Sequence, residues 1–138
     1  MKTTTVSREI TALNEKTDSI LIFDRQKKDF KYPLHFHPEY ELNYLYNAEG
    51  AERLVGDSVE YIGHQELCLV GPNLYHAWKV GNSAPDTDKR EVTLQFLANL
   101  FPEELVCKDV YKNIGQMLKR SDNGLLFSAA TAEAPSPC

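Results

Sequence analysis

The stretch His35-Phe-His-Pro-Glu-Tyr-Glu-Leu-Asn-Tyr-Leu-Tyr46 carries two opposed alternations. Side chains two apart on a strand share a face. His35, His37, Glu41, Asn43 and Leu45 therefore fall on one side, and Tyr40, Leu42, Tyr44 and Tyr46 on the other. Pro38 can change that count by inserting a bulge. Two arrangements of the strand remain open. In one, Leu34, Phe36, Leu42 and Tyr44 fill the core and both histidines face solvent. In the other, the polar face lines a wet hollow with a few converging polar groups, and the aromatic face is covered by the N-terminal segment or another layer. Periodicity alone does not choose between them.

Working outward, short apolar or alternating runs recur between turn signals. Ser19 to Phe23, Leu34 to His37, Tyr40 to Tyr46, Ala51 to Val55, Ser58 to Ile62, Glu66 to Val70, His76 to Val80 and Glu91 to Phe96 all read as strands. The breaks fall at Asn47 to Gly50, Gly56-Asp57, Gly63, Gly71-Pro72-Asn73 and a polar loop from Gly81 to Arg90. No helical stretch separates these strands, so a parallel sheet with crossover helices is excluded and an all-β sandwich or small barrel is expected. After Asn99 the pattern changes. Pro102-Glu-Glu opens a helix, with proline and acids where the first turn favours them. Leu105, Cys107, Val110, Tyr111, Ile114, Met117 and Leu118 follow at helical spacing. The spacing predicts one amphipathic helix over 103–120, or two short ones around Gly115, then a short strand within 124–128. The expected organisation is an N-terminal arm (1–17), a β-barrel (18–98), a helix and strand packed on it (99–128) and an unstructured tail (129–138).

The chain has 138 residues, 42% of them hydrophobic and 25% charged, which suits one domain with a real core and excludes a disordered or fibrous protein. Fifteen Lys and Arg against twenty Asp and Glu give a net charge of -5. The basic runs at Arg25 to Lys28, with Lys31, and at Lys119-Arg120 are short, so no duplex-binding stripe is present. No apolar run is long enough to span a membrane, and the opening is too polar for a signal peptide. Cys68, Cys107 and Cys138 lack metal-knuckle spacing and read as reduced thiols of a cytoplasmic protein.

Chemistry concentrates in the histidines. His35 and His37 share a face, Glu41 shares their parity, and His76 opens a strand that can lie opposite them. Three imidazoles and a carboxylate form a donor set for Zn, Fe, Mn or Ni, and for Cu, without selecting among them. The same groups could instead orient hydroxyls of an organic ligand with no metal. Trp78 shares the face of His76 and reads equally as a platform for a ring or sugar or as a core aromatic. His64, beside Gly63, reads as exposed. Glu39 and Glu41 are candidate acids or bases by position alone. No nucleophile, base and orienting acid can be assembled around Ser58 or Ser83.

The motif His35, His37, Glu41 and Gly50, followed by Pro72 and His76, resembles the two signatures of cupins. With Val55-Gly-Asp57 and Leu118 to Ser128, the chain more closely resembles the N-terminal effector-sensing domain of AraC-type transcription regulators over about residues 18 to 128. The resemblance implies a double-stranded β-helix, or jelly roll, and a non-catalytic domain that binds a small-molecule effector such as a sugar. It assigns ligand contacts to His35, His37, Glu41, Asn43, His76 and Trp78, and no cofactor as a rule. It also implies a homodimer, and DNA recognition by a C-terminal helix-turn-helix domain that this sequence does not contain, so no DNA binding is expected of this chain alone. Enzymatic cupins, in contrast, hold a metal with the set matched here by His35, His37, Glu41 and His76. A metal-dependent dioxygenase, isomerase or epimerase is therefore the alternative.

Overall fold

The computed structural model describes residues 7–9, 19–30, 33–81 and 85–128. Within them, ten strands form two five-stranded sheets. The strands are β1 (Ser7–Arg8), β2 (Ile20–Lys27), β3 (His35–Phe36), β4 (Tyr40–Tyr46), β5 (Ala51–Val55), β6 (Ser58–Tyr61), β7 (Gln65–Val70), β8 (His76–Val80), β9 (Lys89–Phe96) and β10 (Leu125–Leu126). The first sheet has the order β1-β3-β8-β5-β6 and the second β10-β7-β4-β9-β2. Every pairing is antiparallel except β1 with β3. The expected β-rich fold with a C-terminal helical layer is thus present. The strand anticipated at residues 19–23 runs on to Lys27, because β9 offers an unbroken antiparallel partner along its whole length.

The sheets face each other, as contacts of His76 with Glu41 and of Arg53 with Glu66 show. Register stacks the inward side chains in layers. In the second sheet Glu41 lies opposite Val70 and Gln95, Asn43 opposite Cys68 and Thr93, and Leu45 opposite Glu66 and Glu91. In the first, His76 lies between His35 and Val55, and Trp78 pairs with Arg53. The interior is therefore mixed. Leu45, Ala51, Val55, Cys68, Val70 and Trp78 form an apolar cluster, among buried polar groups.

The outer face of the second sheet is apolar. Tyr40, Leu42, Leu69, Leu94 and Phe96 pack beneath Ile114, Met117 and Leu118. Tyr40 and Phe96 stack with ring centroids 5.1 Å apart. Each large apolar side chain fully covered there stabilises the fold by about 1.5–3 kcal/mol. The cover of the aromatic face is therefore a C-terminal helical layer.

That layer consists of α1 (Glu103–Val106) and α2 (Lys112–Arg120), joined through a 3-10 turn at Asp109–Tyr111. The break falls there and not at Gly115. A Cβ on Gly115 would stand 3.0 Å from Val106 Cβ, so the glycine serves close packing of α1 on α2. Val110 and Tyr111, placed by spacing on the apolar side, are exposed in this turn. A second close approach closes the seam to β7: a Cβ on Gly71 would meet Ser121 O at 2.6 Å, and the Gly71 N–H donates to that oxygen at 2.9 Å. Of the segment expected to be an arm, Ser7–Arg8 lies in the first sheet and most of the rest is outside the described residues, as is 129–138. No helix among the described residues is long and apolar enough to cross a membrane.

Candidate metal centre

Burial alternates without interruption from His35 to Leu45, with His35, His37, Glu39, Glu41, Asn43 and Leu45 all buried. Pro38 ends β3 and bends the chain, but it adds no residue that reverses the faces. The bend is fixed from the opposite side: Asn73 N–H donates to His37 O at 2.7 Å, from a turn in which Asn73 takes a φ of 60°. Asparagine tolerates that conformation. The same turn delivers His76, which pairs in register with His35. Of the two arrangements open to the sequence, the structure adopts the one with inward histidines.

Three imidazoles meet between the sheets. Ligating atoms of His35, His37 and His76 lie within 4.8 Å of one another, and all three residues are buried. Ring centroids are 4.3 Å apart for His35 and His76, 4.9 Å for His37 and His76, and 5.8 Å for His35 and His37. Glu41 approaches from one side, with Oε1 3.3 Å from His37 Nε2 and Oε2 3.5 Å from His76 Nε2.

The tautomers are set by the backbone. Nδ1 of His35 lies 2.7 Å from Pro33 O, that of His37 3.2 Å from Glu39 O, and that of His76 2.8 Å from Leu74 O. A carbonyl oxygen only accepts, so each Nδ1 carries the proton and donates it. In the neutral rings each Nε2 then presents a lone pair. Metal-bound histidines are held in this way by a partner on the other nitrogen. Glu41 is held too, by Gln95 Nε2, which donates to its Oε1 at 3.2 Å.

Lone pairs facing a carboxylate repel unless a proton or cation lies between them. Burial, then the charge of His76, lowers the pKa of His35, despite Pro33, Glu9 and Glu41. Burial also acts to lower His37, but Glu41, Glu39 and Glu9 outweigh it and its pKa is raised. Burial alone would push Glu41 up; the close approach and charge of His37 and His76 prevail and hold its carboxyl well below the usual range. Among the described residues, His76 Nε2 is a buried nitrogen without a hydrogen-bond partner. The three histidines thus fit a divalent transition metal, with nitrogen donors of borderline softness.

Other expected residues occupy the same interior. Trp78 is buried, its ring 5.9 Å from that of His76. Asn43 is buried a layer away and donates to Glu91 Oε2 at 3.1 Å and Thr93 Oγ1 at 3.2 Å. His64 is exposed and packs edge-on against Tyr46. Cys68 is buried; burial, then Glu66, pushes its thiol up to about 12, so it is no thiolate donor.

Several interior groups escaped the sequence reading. Arg53 forms ion pairs with buried Glu66 and with Glu60. Lys89 is fully buried, donating to the carbonyls of Lys28 at 3.2 Å, Pro85 at 3.4 Å and Thr87 at 2.9 Å. Gln95, Thr93 and Glu91 complete a polar wall. Their signal was the alternation of Lys89, Glu91, Thr93 and Gln95 with Val92 and Leu94, which repeats the pattern of β4.

No protein-family model matches the chain, and no curated protein does. Solved structures of ToxT from Vibrio cholerae are similar in fold. One matches with a TM-score of 0.50 and 12% identity, over 80% of this chain and 42% of ToxT. Another, from strain O395 and bound to (E)-4-(8-methylnaphthalen-1-yl)but-3-enoic acid, gives 0.47 and 13% over the same shares, 80% and 42%. A third, with bound unsaturated fatty acid, gives 0.40 and 14%, over 64% and 33%. At this identity the likeness is one of fold. The chain spans about two-fifths of the length of ToxT in the first match.

Proposed function

We propose that the chain is a cupin-type domain holding one divalent transition metal through His35, His37, His76 and Glu41, and that it belongs with the metal-dependent cupin enzymes of the dioxygenase, isomerase or epimerase class. One observation carries this reading: three buried imidazoles cluster with their ligating atoms within 4.8 Å of one another, their Nδ1 protons committed to backbone carbonyls and their Nε2 atoms turned toward carboxylates. A bound metal would supply Lewis acidity, or a site for oxygen or substrate oxygen atoms, in a water-poor interior. The chain's own residues do the rest. Backbone carbonyls hold the rings, Gln95 holds Glu41, and Asn43, Thr93 and Trp78 offer a polar and aromatic wall against which a small organic substrate can be oriented.

The test is elemental analysis of protein purified without added metal. About one equivalent of Zn, Fe, Mn or Ni is expected, and the His35→Ala/His37→Ala double variant should lose it while keeping its β-sheet circular dichroism. A metal content far below one equivalent that does not rise on incubation with Zn(II) or Fe(II) would sink the reading.

A second reading is favoured by the motif resemblance and by the fold shared with ToxT: an effector-sensing domain of an AraC-type regulator. It binds a small molecule, a sugar among the candidates, self-associates through its helical layer, and acts on DNA through a further domain. Trp78 fluorescence titrated with sugars and small acids tests it; saturable binding without metal or turnover would favour it over the enzyme.

A further inference from the structure

We infer that Glu9 is a second carboxylate donor to the metal, carried to the site by the segment that forms β1. The inference rests on the metal reading above and concerns a residue that neither the histidine motif nor the cupin resemblance assigns. Glu9 Oε2 lies 3.3 Å from His35 Nε2. That nitrogen is the one left with a lone pair when Nδ1 donates to Pro33 O. Two donors bound to one ion at about 2.0–2.2 Å, with angles between octahedral and tetrahedral, stand about 2.8–3.6 Å apart. The Glu9 to His35 separation falls in that range, as do those of Glu41 to His37 and to His76, at 3.3 and 3.5 Å.

The approach is built and not incidental. Ser7 N–H donates to Leu34 O at 3.3 Å and Glu9 N–H to Phe36 O at 2.9 Å, so the backbone clasps β3 on both sides of His35. Ser7 pairs with His35 and Arg8 with Phe36. Glu9 is half-buried at the end of this pairing, whereas Ser7 and Arg8 are exposed. Because a donor on the segment couples metal binding to its docking, the metal must also hold the segment in place, by reciprocity.

The experiment uses the full chain. Zn(II) affinity is measured by chelator competition for the wild type, Glu9→Gln and Arg8→Ala, with Co(II) visible spectra as a report on the donor set. Trypsin cleavage after Arg8 is followed with and without Zn(II) in the wild type and Glu9→Gln. Glu9→Gln should weaken Zn(II) binding by about tenfold or more and change the Co(II) bands, while Arg8→Ala, which alters the same strand on its exposed side, leaves both unchanged. Zn(II) should slow cleavage of the wild type but not of Glu9→Gln. Equal affinities and spectra in wild type and Glu9→Gln, or an equal loss in Arg8→Ala, overturn the role of Glu9 and leave the histidine centre standing. A wild type that binds no metal overturns both. Zn-independent cleavage of the wild type overturns the coupling whether or not any variant folds.

Discussion

The inner face of the second sheet carries Glu41, Asn43, Glu91, Thr93 and Gln95, whereas its outer face carries Tyr40, Leu42, Leu69, Leu94 and Phe96 beneath the helices. A sheet with one side on a core and one in water shows the opposite polarity. The difference assigns separate duties to the faces. The outer face and α2 form a dry layer that stabilises the sheet, and this leaves the inner face able to hold groups chosen for chemistry. Burying such groups is costly unless each is paired. The ion pairs Lys27 to Glu91 and Arg53 to Glu66, with the bonds of Lys89 to three carbonyls, meet that requirement for the charges they join.

The strongest way to break this division is from outside. Leu69 is 1% exposed within the outer cluster. Leu69→Ala should lower the free energy of unfolding by about 2–5 kcal/mol, read by urea denaturation, with Zn(II) affinity of the folded protein unchanged within about twofold. A parallel collapse of metal affinity would mean that the faces are not separable.

From inside, Glu41→Gln should act on both stability and chemistry. In metal-free protein at pH 7 it replaces the charged acceptor of the hydrogen bond from Gln95, a bond worth about 1.5–3 kcal/mol. The pKa of Glu41 in the folded state lies below its ordinary value of 4.5. Its contribution is therefore complete above that value and is lost as pH falls below it. Unfolding curves of wild type and variant should differ at neutral pH and converge in acid. A constant offset between them down to pH 3 would show that Glu41 gains nothing from its ionised form.

How much of this was legible follows from the same two faces. The alternation from His35 to Tyr46 was visible as a pattern, and so was the convergence of His35, His37 and His76 as a candidate set. Its sense was not, because alternation gives two faces and not which one is covered. That depends on Leu118 and its neighbours, some 70 residues away. Pro38 looked like a bulge, yet the hydrogen bond from Asn73 absorbs the bend without a change of face. Glu9 was unreadable, since no local pattern announces that a polar segment will pair parallel to a two-residue strand. Neither reading left open for 103–120, one helix or two around Gly115, put the break at Asp109–Tyr111, because a missing Cβ reads alike as a hinge and as room for Val106.

The finest test of the comparison replaces a polar inner residue that lies outside the donor set. Asn43→Leu removes the donor bonded to Glu91 and Thr93, and leaving such buried acceptors short costs about 1–3 kcal/mol. It also removes Asn43 Oδ1, a buried oxygen without a hydrogen-bond partner, which recovers part of the cost. Glu91 keeps Lys27 at 2.6 Å. The net loss should then be the smallest of the three, about 1 kcal/mol, with metal affinity unaltered, because Asn43 stands one layer below Glu41. What should change is the capacity for a polar ligand: any sugar or acid that binds the wild type and quenches Trp78 should bind Asn43→Leu more weakly. If the ligand is indifferent to Asn43 but lost with Leu69→Ala, the working cavity lies on the helical side of the sheet, and the assignment of duties to the two faces is reversed.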